Sequence, residues 1–374
     1  MKIGFDAKRA FLNSSGLGIY SRNTLNALSR YFPDNSYILF TPRAGDSLFE
    51  NSNEFKTVSP AKFFPKQLKS LWRSLLLIPA LMNNSIDLYH GLSNELPKGI
   101  HRTDIFSVVT IHDLIFMRYP ELYGSVDRHI YCKKVKYACR AADSIIAISQ
   151  QTKNDLENFF QVKPEKIKVI HQSVSQIYFQ SHPENTIIKK YSIPEKFILS
   201  VGTVEIRKNQ LQLLKAIKRC NINVPLVFVG RQTSYINELM RYIEKKDMNN
   251  QAIFLSNIPE SDLAALYQRA ILSVYISIFE GFGLPVIESM ASGCPVITSN
   301  SSCLPETAGD AALLVSPEDE MEIGNNIAIL LDDNKIRNQI IEKGHRRAGL
   351  FHPENYAKNL IDLYRSILSD DFTK

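Results

Sequence analysis

The chain has 374 residues, 44% apolar and 22% charged, with a formal net charge of +6. Its length predicts two domains, and its composition is that of an ordinary globular protein rather than a disordered one. No run of eighteen apolar residues is present, MKIGFDAKRAF lacks the apolar core of a signal peptide, and the five cysteines form no CxxC pair. These features exclude a spanning helix and predict reduced, cytoplasmic thiols rather than disulfides or zinc.

The charge is uneven. Residues 1–175 carry 23 Lys and Arg against 15 Asp and Glu, whereas the remainder carries 21 against 23. A basic first half suits a negatively charged partner, such as a membrane surface, a phospholipid-linked acceptor or nucleic acid. A merely solvated basic face is the alternative.

In chain order, Lys2 to Asp6 reads as a first strand, followed by a glycine loop at Gly16 and Gly18 and a helical pattern through Leu25, Leu28 and Tyr31. A glycine loop between strand and helix lets a phosphate approach the backbone, although this one is not GxGxxG. Tyr37–Phe40 is a second strand. Residues 66–81 form a basic amphipathic pattern around the only tryptophan, Trp72. Such a helix can lie on an anionic membrane or pack on its own domain with Trp72 in the core, and Pro79 favours packing. Two further strands end at Gly91 and at His112. Ligands of open parallel sheets sit beyond the carboxyl ends of strands, so His112 is placed where it could meet one.

Tyr131–Ala142 reads as a helix with Lys133, Lys134 and Lys136 exposed, Ser144–Ser149 as a strand, and Gln150 to Phe160 as a helix. Ile167–Ile170 closes a first domain of residues 1–175, and polar residues 176–194 read as a linker. A second domain, 195–352, opens with the strand Phe197–Gly202. A helix from Asn209, the strand Pro225–Gly230, the helix Tyr235–Lys245, the strand Ile253–Ser256 and a capped helix from Glu260 follow. This alternation predicts a doubly wound parallel sheet. Apolar Tyr356, Leu360, Leu363 and Ile367 make residues 353–368 a terminal amphipathic helix.

The most informative stretch is FEGFGLPVIESMASGCPVITSN, residues 279–300. An apolar run ends in Glu280, a glycine turn follows, Pro285 opens a short helix carrying Glu288, and Gly293 closes it before the next apolar run. Proline at a helix start and glycine past its end are the expected punctuation. Free N–H groups around Gly283 and Leu284 can hold an anion. Carboxylates on either side of it suit a ligand with hydroxyls flanking a phosphate, the layout of a sugar nucleotide. A βαβ turn with one surface and one helix glutamate is the plainer reading.

Glu280-Gly-Phe-Gly-Leu-Pro-Val-Ile-Glu288 resembles the Glu-x7-Glu motif of retaining glycosyltransferases of the GT-B fold, specifically family 4. Ala291 to Asn300, Leu304 to Asp310 and the Val201-Gly-Thr-Val-Glu-Ile-Arg-Lys-Asn209 segment extend the resemblance. It is dense over residues 197–318 and thinner across the N-terminal half. It implies an α/β architecture of two doubly wound, Rossmann-like parallel-sheet domains facing each other across a cleft. The first would bind the acceptor and the second a nucleotide-sugar donor, with the terminal helix, 353–374, crossing back to the first domain.

The resemblance also implies residue roles. His112 and Glu280 would act at the transferred sugar, with Gly281, Phe282 and Gly283 contacting it. Gly16, Gly18, Arg207, Lys208, Gly283 and Leu284 would hold the donor phosphates, Glu288 the ribose hydroxyls, and Gly230, Asn257 and Ile258 the base. Arginine and lysine suit phosphate as fork and point charge, and negative charge grows on the leaving diphosphate as the glycosidic bond breaks. Many family members carry an arginine directly after the glycine, where Thr203 stands here. No strand-flanked Asp-x-Asp is present, so the expectation is a metal-independent enzyme needing no cofactor.

The GTVEIRKN form of the phosphate loop resembles mannosyltransferase members. The implied reaction is retaining transfer of a hexose, mannose from GDP-mannose, to a glycan or lipid-linked acceptor of bacterial surface polysaccharide, including lipopolysaccharide. A UDP-sugar donor of glucose, galactose or GlcNAc is the main alternative, and a UDP-sugar epimerase of the same fold a further one. The expected location is cytoplasmic, with peripheral contact at the inner membrane face. A basic nucleic-acid binder would need basic and aromatic residues interleaved on one face, which Lys133, Lys134 and Lys136 do not supply, so no nucleic-acid partner is expected.

Overall fold

The computed structural model describes residues 1–43, 48–49, 54–60, 72–74, 76–182 and 186–369. The chain forms two compact units, Met1–Ser173 together with Pro353–Lys374, and Val174–His352.

The first unit is built on seven strands: β1 (Lys2–Asp6), β2 (Ser36–Phe40), β3 (Lys56–Val58), β4 (Leu88–Gly91), β5 (Phe106–Ile111), β6 (Ser144–Ala147) and β7 (Ile167–Val169). They pair in parallel in the order β3-β2-β1-β4-β5-β6-β7. A parallel sheet covered by helices on both faces needs strands that are apolar throughout. Ile3, Phe5, Leu39, Leu88, Val108 and Ile146 fill one core, while Ile38, Phe40, Tyr89, Val109, Ile111 and Ile145 fill the other.

The second unit repeats the plan with β8 (Ile198–Val201), β9 (Leu226–Val229), β10 (Ala252–Leu255), β11 (Leu272–Tyr275), β12 (Val296–Ser299) and β13 (Leu313–Val315). All pairs are parallel, in the order β10-β9-β8-β11-β12-β13. In each sheet the chain winds outward, then returns to the other side of its first strand. The winding therefore reverses between β1 and β4, and again between β8 and β11. Open α/β sheets bind ligands beyond the strand ends at such a reversal, because the two flanking connections part to opposite faces.

The terminal helix, Pro353–Leu368, belongs to the first unit although the whole second unit precedes it. Its buried Tyr356, Leu360, Ile361, Tyr364 and Ile367 join the core that holds Leu25 and Leu28 of the Gly16–Tyr31 helix. Polar contacts add direction. Tyr356 Oη lies 2.9 Å from Thr24 Oγ1, and Tyr364 Oη lies 2.7 Å from Nδ1 of the fully buried His90. His90 Nε2 then meets Thr110 Oγ1 at 2.8 Å, and Tyr20 Oη meets the same hydroxyl at 2.9 Å. Burial pushes His90 down to about 3, so the ring is neutral.

Several local expectations are corrected. Gly16 and Gly18 are not a loop: a helix begins at Gly16, with Ser15 at the position before it. A Cβ on Gly18 would fall 1.7 Å from the Asn13 carbonyl oxygen, so the glycine admits close backbone packing. The expected Tyr131 helix begins six residues earlier, at Ser125. Pro259 rather than a Glu260 box stands before the Glu260–Arg269 helix. In the 66–81 stretch, residues 66–71 and 75 lie outside the described residues; Trp72 is buried and Leu77–Asn83 is helical, with Pro79 in its first turn. The three-residue edge strands β3 and β13 are too short to leave a period in the sequence.

Tyr364→Phe removes the hydroxyl beside buried His90 and should cost about 1–3 kcal/mol of unfolding free energy. Chemical denaturation would measure it; an unchanged midpoint would mean that the hydroxyl does not support the terminal helix.

Candidate active site

The site of the second unit grows from the two strand ends at its winding reversal. After β8, Gly202 N donates to Val229 O at 2.8 Å, and the chain turns through the short helix Ile206–Lys208. Gly230, just after β9, lies so close that a Cβ there would stand 2.0 Å from Gly202 O. Gly230, expected at the base, therefore also sets how tightly this loop packs. Asn209 adopts a left-handed conformation (φ 63°), and its Nδ2 donates to Pro317 O at 2.7 Å. Ile278 N donates to Arg207 O at 2.9 Å, tying this loop to the one after β11.

The loop from β11 to the next helix is laced by hydroxyls of the β12 end, the turn beyond it and the short helix Leu304–Ala308. Ser299 Oγ donates to Ser277 O, Ser301 Oγ to Ile278 O, and Thr307 Oγ1 to Phe282 O, at 2.5, 3.0 and 2.5 Å. The Glu280 N–H donates to Ser302 Oγ at 3.1 Å. Gly283 stands at φ 98°, where a Cβ would be 2.6 Å from Leu304 Cδ2, so glycine alone fits. The helix runs Leu284–Ala291, placing Pro285 second rather than first, and Gly293 (φ 74°) closes the turn after it. Every residue from Val286 to Ala291 is buried. Loop and helix start are thus held rigidly at the backbone level.

These elements bring Arg207, Lys208 and Glu280 into one cluster. Lys208 Nζ lies 2.6 Å and Arg207 Nη1 2.7 Å from Glu280 Oε1. Arg207 also donates to Phe279 O at 2.7 Å and pairs with Glu205 at 2.7 Å. Lys208 donates to Tyr275 Oη at 2.7 Å, with its ammonium 4.9 Å from that ring's centre. Burial alone would raise the Glu280 carboxyl, but Lys208 and Arg207 overcome it and hold the group at about 2. Glu280 is a fixed anion: an acceptor for hydroxyls and a source of negative potential, but a poor base.

Glu288 is the opposite case. It is buried on the Leu284–Ala291 helix, and Tyr267 Oη donates to its Oε2 at 3.3 Å. Burial, with Glu260 nearby, pushes its carboxyl up to about 8. One carboxyl is thus ionised and the other protonated at neutral pH, a separation of environments typical of working sites. Asn257 and Ile258 follow the edge strand β10, at the same edge of the sheet as the other loops. Asn257 is an exposed left-handed residue (φ 55°).

In the first unit, His112 immediately follows β5, at the strand end expected of it, and is buried. Its Nε2 lies 2.8 Å from Leu92 O, its Nδ1 3.3 Å from Gln172 Nε2, and its ring 4.6 Å edge-on from Tyr20. Burial lowers it to about 4, leaving it neutral.

The sequence reading did not single out Glu205, Tyr275, Ser302 or Gln172. The hydroxyl-rich Thr298–Ser302 run was a usable signal, since every other side chain there could cap a neighbouring loop. Nothing local to Tyr275 or Gln172 marks their partners.

Two family models match the chain: Glycosyltransferase Family 4 over residues 14–175, and Glycosyl transferases group 1 over residues 183–347. The chain is 28% identical to the O-antigen chain mannosyltransferase B of Escherichia coli, over 98% of this chain and 100% of that protein. In structure it resembles sucrose-phosphate synthase of Thermosynechococcus elongatus (TM-score 0.80, 21% identity, 99% of each chain). It also resembles Anabaena HepE in complex with UDP (TM-score 0.75, 18% identity, 98% of this chain and 100% of that one).

The raised Glu288 carboxyl makes stability depend on pH. The folded state holds this proton more tightly than an unfolded chain with its ordinary carboxyl, so its contribution is complete below the ordinary value of 4.5 and is lost as pH rises through about 8. Glu288→Gln should therefore flatten the decline of thermal stability between about pH 5 and 8. Parallel declines in the two proteins would mean that Glu288 is not protonated in the fold.

Proposed function

The chain belongs to the glycosyltransferases of group 1 and family 4, and we propose that it is a retaining, metal-independent enzyme moving mannose from GDP-mannose to a hydroxyl of a surface-polysaccharide acceptor. The observation that carries this reading is the Glu280 carboxylate, kept ionised by Lys208 and Arg207 at the β8–β11 reversal. The full-length likeness to an O-antigen mannosyltransferase supports the sugar and the polysaccharide setting.

In this reading the donor diphosphate meets Lys208, Arg207 and the N–H groups at the start of the Leu284–Ala291 helix. The C1–phosphate bond breaks, the electron pair passes to the phosphate oxygen, and these positive groups balance the growing charge without a metal. Positive charge develops at the same time on the sugar ring. Glu280, unable to take a proton near neutral pH, opposes that charge and accepts hydrogen bonds from sugar hydroxyls. The acceptor hydroxyl forms the new bond on the face just vacated, and its proton goes to the departing phosphate. Glu288 receives the ribose hydroxyls, and neutral His112 serves the transferred sugar.

The first unit supplies a surface for a lipid-linked acceptor. Residues 124–131 are all exposed, with Val126 70% and Ile130 42% accessible, and the stretch carries Asp127, Arg128 and His129, with exposed Lys133 two residues beyond it. Exposed apolar side chains with an arginine and a lysine close by in sequence suit an anionic lipid surface. The described residues include no helix long and apolar enough to cross a membrane, so this contact is peripheral in our reading.

Two measurements test these proposals. Thermal shifts with GDP, UDP, ADP and their sugar conjugates should single out GDP and GDP-mannose, because a ligand of the folded state raises its stability. Lys208→Ala should abolish the shift, and Glu280→Ala should preserve it while lowering turnover by about 10²–10³-fold. A shift with UDP alone would replace the donor; none with any nucleotide would overturn the reading. Sedimentation with anionic vesicles should capture the protein and neutral vesicles should not, with capture lost in Val126→Asp/Ile130→Asp. Equal capture by neutral vesicles or by the double variant would remove the membrane surface.

A further inference from the structure

His112 is a ring with two nitrogens and two dissimilar neighbours. The Leu92 carbonyl, 2.8 Å from Nε2, can only accept a hydrogen bond, so Nε2 must carry a proton. A neutral imidazole has a single N–H, so Nδ1 is then a bare acceptor. The group facing Nδ1 at 3.3 Å is the Gln172 side chain, and only its amide N–H can satisfy that lone pair. Both nitrogens are thereby assigned without any free choice of tautomer.

The rest of the surroundings supports a neutral ring. Tyr20 presents its ring edge-on at 4.6 Å while its hydroxyl is turned to Thr110. The His112 backbone N–H donates to Asn94 Oδ1 at 2.9 Å, and Thr152 Oγ1 donates to the His112 carbonyl at 3.1 Å. Among titratable neighbours, Arg9 opposes an imidazolium, His90 is itself neutral, and Asp113 lends its Oδ1 to the Ile115 N–H. Burial works in the same direction as Arg9.

We infer that Gln172 is a positioning residue that holds His112 as a neutral, Nε2-protonated imidazole with a fixed ring orientation. For the transfer step, the inference rests on the function proposed above. A sugar that develops positive charge as its C1–O bond breaks is destabilised by a nearby cation, so the enzyme needs this histidine uncharged. A glutamine achieves that: it supplies a donor to Nδ1 without supplying the negative charge that would recruit a second proton. Glutamate at the same position would do the reverse, stabilising imidazolium between a carboxylate and the Leu92 carbonyl.

The full chain with ¹⁵N-labelled histidine separates these possibilities by NMR. Wild-type His112 should be protonated at Nε2 alone across neutral pH. Gln172→Glu should raise its titration by about 1–3 pH units. The acid limb of the kcat profile should move up with it while the donor KM stays unchanged, and Gln172→Leu should lower kcat without moving the limb. A proton on Nδ1 in the wild type, or a Gln172→Glu titration that stays in place, overturns the assignment. So does a shifted titration with an unshifted kcat profile, which would make Gln172 structural only. A wild-type chain that transfers no sugar from any donor would instead sink the proposed function, and the imidazole spectra would still decide the role of Gln172.

Discussion

The loops after β8 and β11 meet at a single carboxylate held where water would otherwise stabilise it better. Glu280 is 8% exposed, and removing a carboxylate from water costs several kcal/mol unless cations replace the lost solvation. Lys208 and Arg207 do so from the neighbouring loop, and their own charges are shared with Tyr275, the Phe279 carbonyl and Glu205. With two cations against two carboxylates, the cluster is balanced internally. In the function proposed above, an arriving diphosphate would compete for groups that are already paired, which would favour a ligand that brings hydroxyls for Glu280 as well as charge for its partners.

That arrangement is possible because of the sheet beneath it. Strand order brings β8 and β11 side by side, so two loops 67 to 72 residues apart in sequence meet over one edge. The loops are then fixed through backbone groups: hydroxyls of Ser299, Ser301 and Thr307 take up carbonyls that would otherwise be orphaned. The first unit repeats the same winding but spends its buried polarity differently. There a chain of hydroxyls and neutral imidazoles, from Tyr364 through His90 and Thr110 to Tyr20, links the terminal helix to the sheet and stops against the His112 ring.

Much of this was legible in the residues. Short apolar runs such as Tyr37–Phe40 and Leu226–Val229, bounded by turn residues, read as strands buried on both faces, and their alternation with amphipathic helices points to a parallel sheet. The Gly283, Pro285 and Gly293 punctuation located the helix after β11 to within a residue, because each stands where backbone geometry excludes most alternatives. Gly16 and Gly18 misled for the same reason that glycine is informative. Its freedom serves loops and close packing equally, and the Asn13 carbonyl, not a loop, makes Gly18 necessary. Glu280 and Glu288 were recognisable as a pair, but their opposite protonation was not, since spacing carries no information about which carboxyl has cations beside it.

The sequence by itself determined what is set by short-range sterics and by hydrophobic period: the strands other than β3 and β13, some of the helices, two parallel sheets, and the motif residues that name the family. Tertiary structure alone decided which of those residues are charged and what holds them in place. Lys208 finds Tyr275 across 67 residues, Gln172 finds His112 across 60, and Tyr364 finds His90 across 274. Electrostatic environment and hydrogen-bond satisfaction depend on distance in space and on exclusion of water, and neither exists until the sheets have formed.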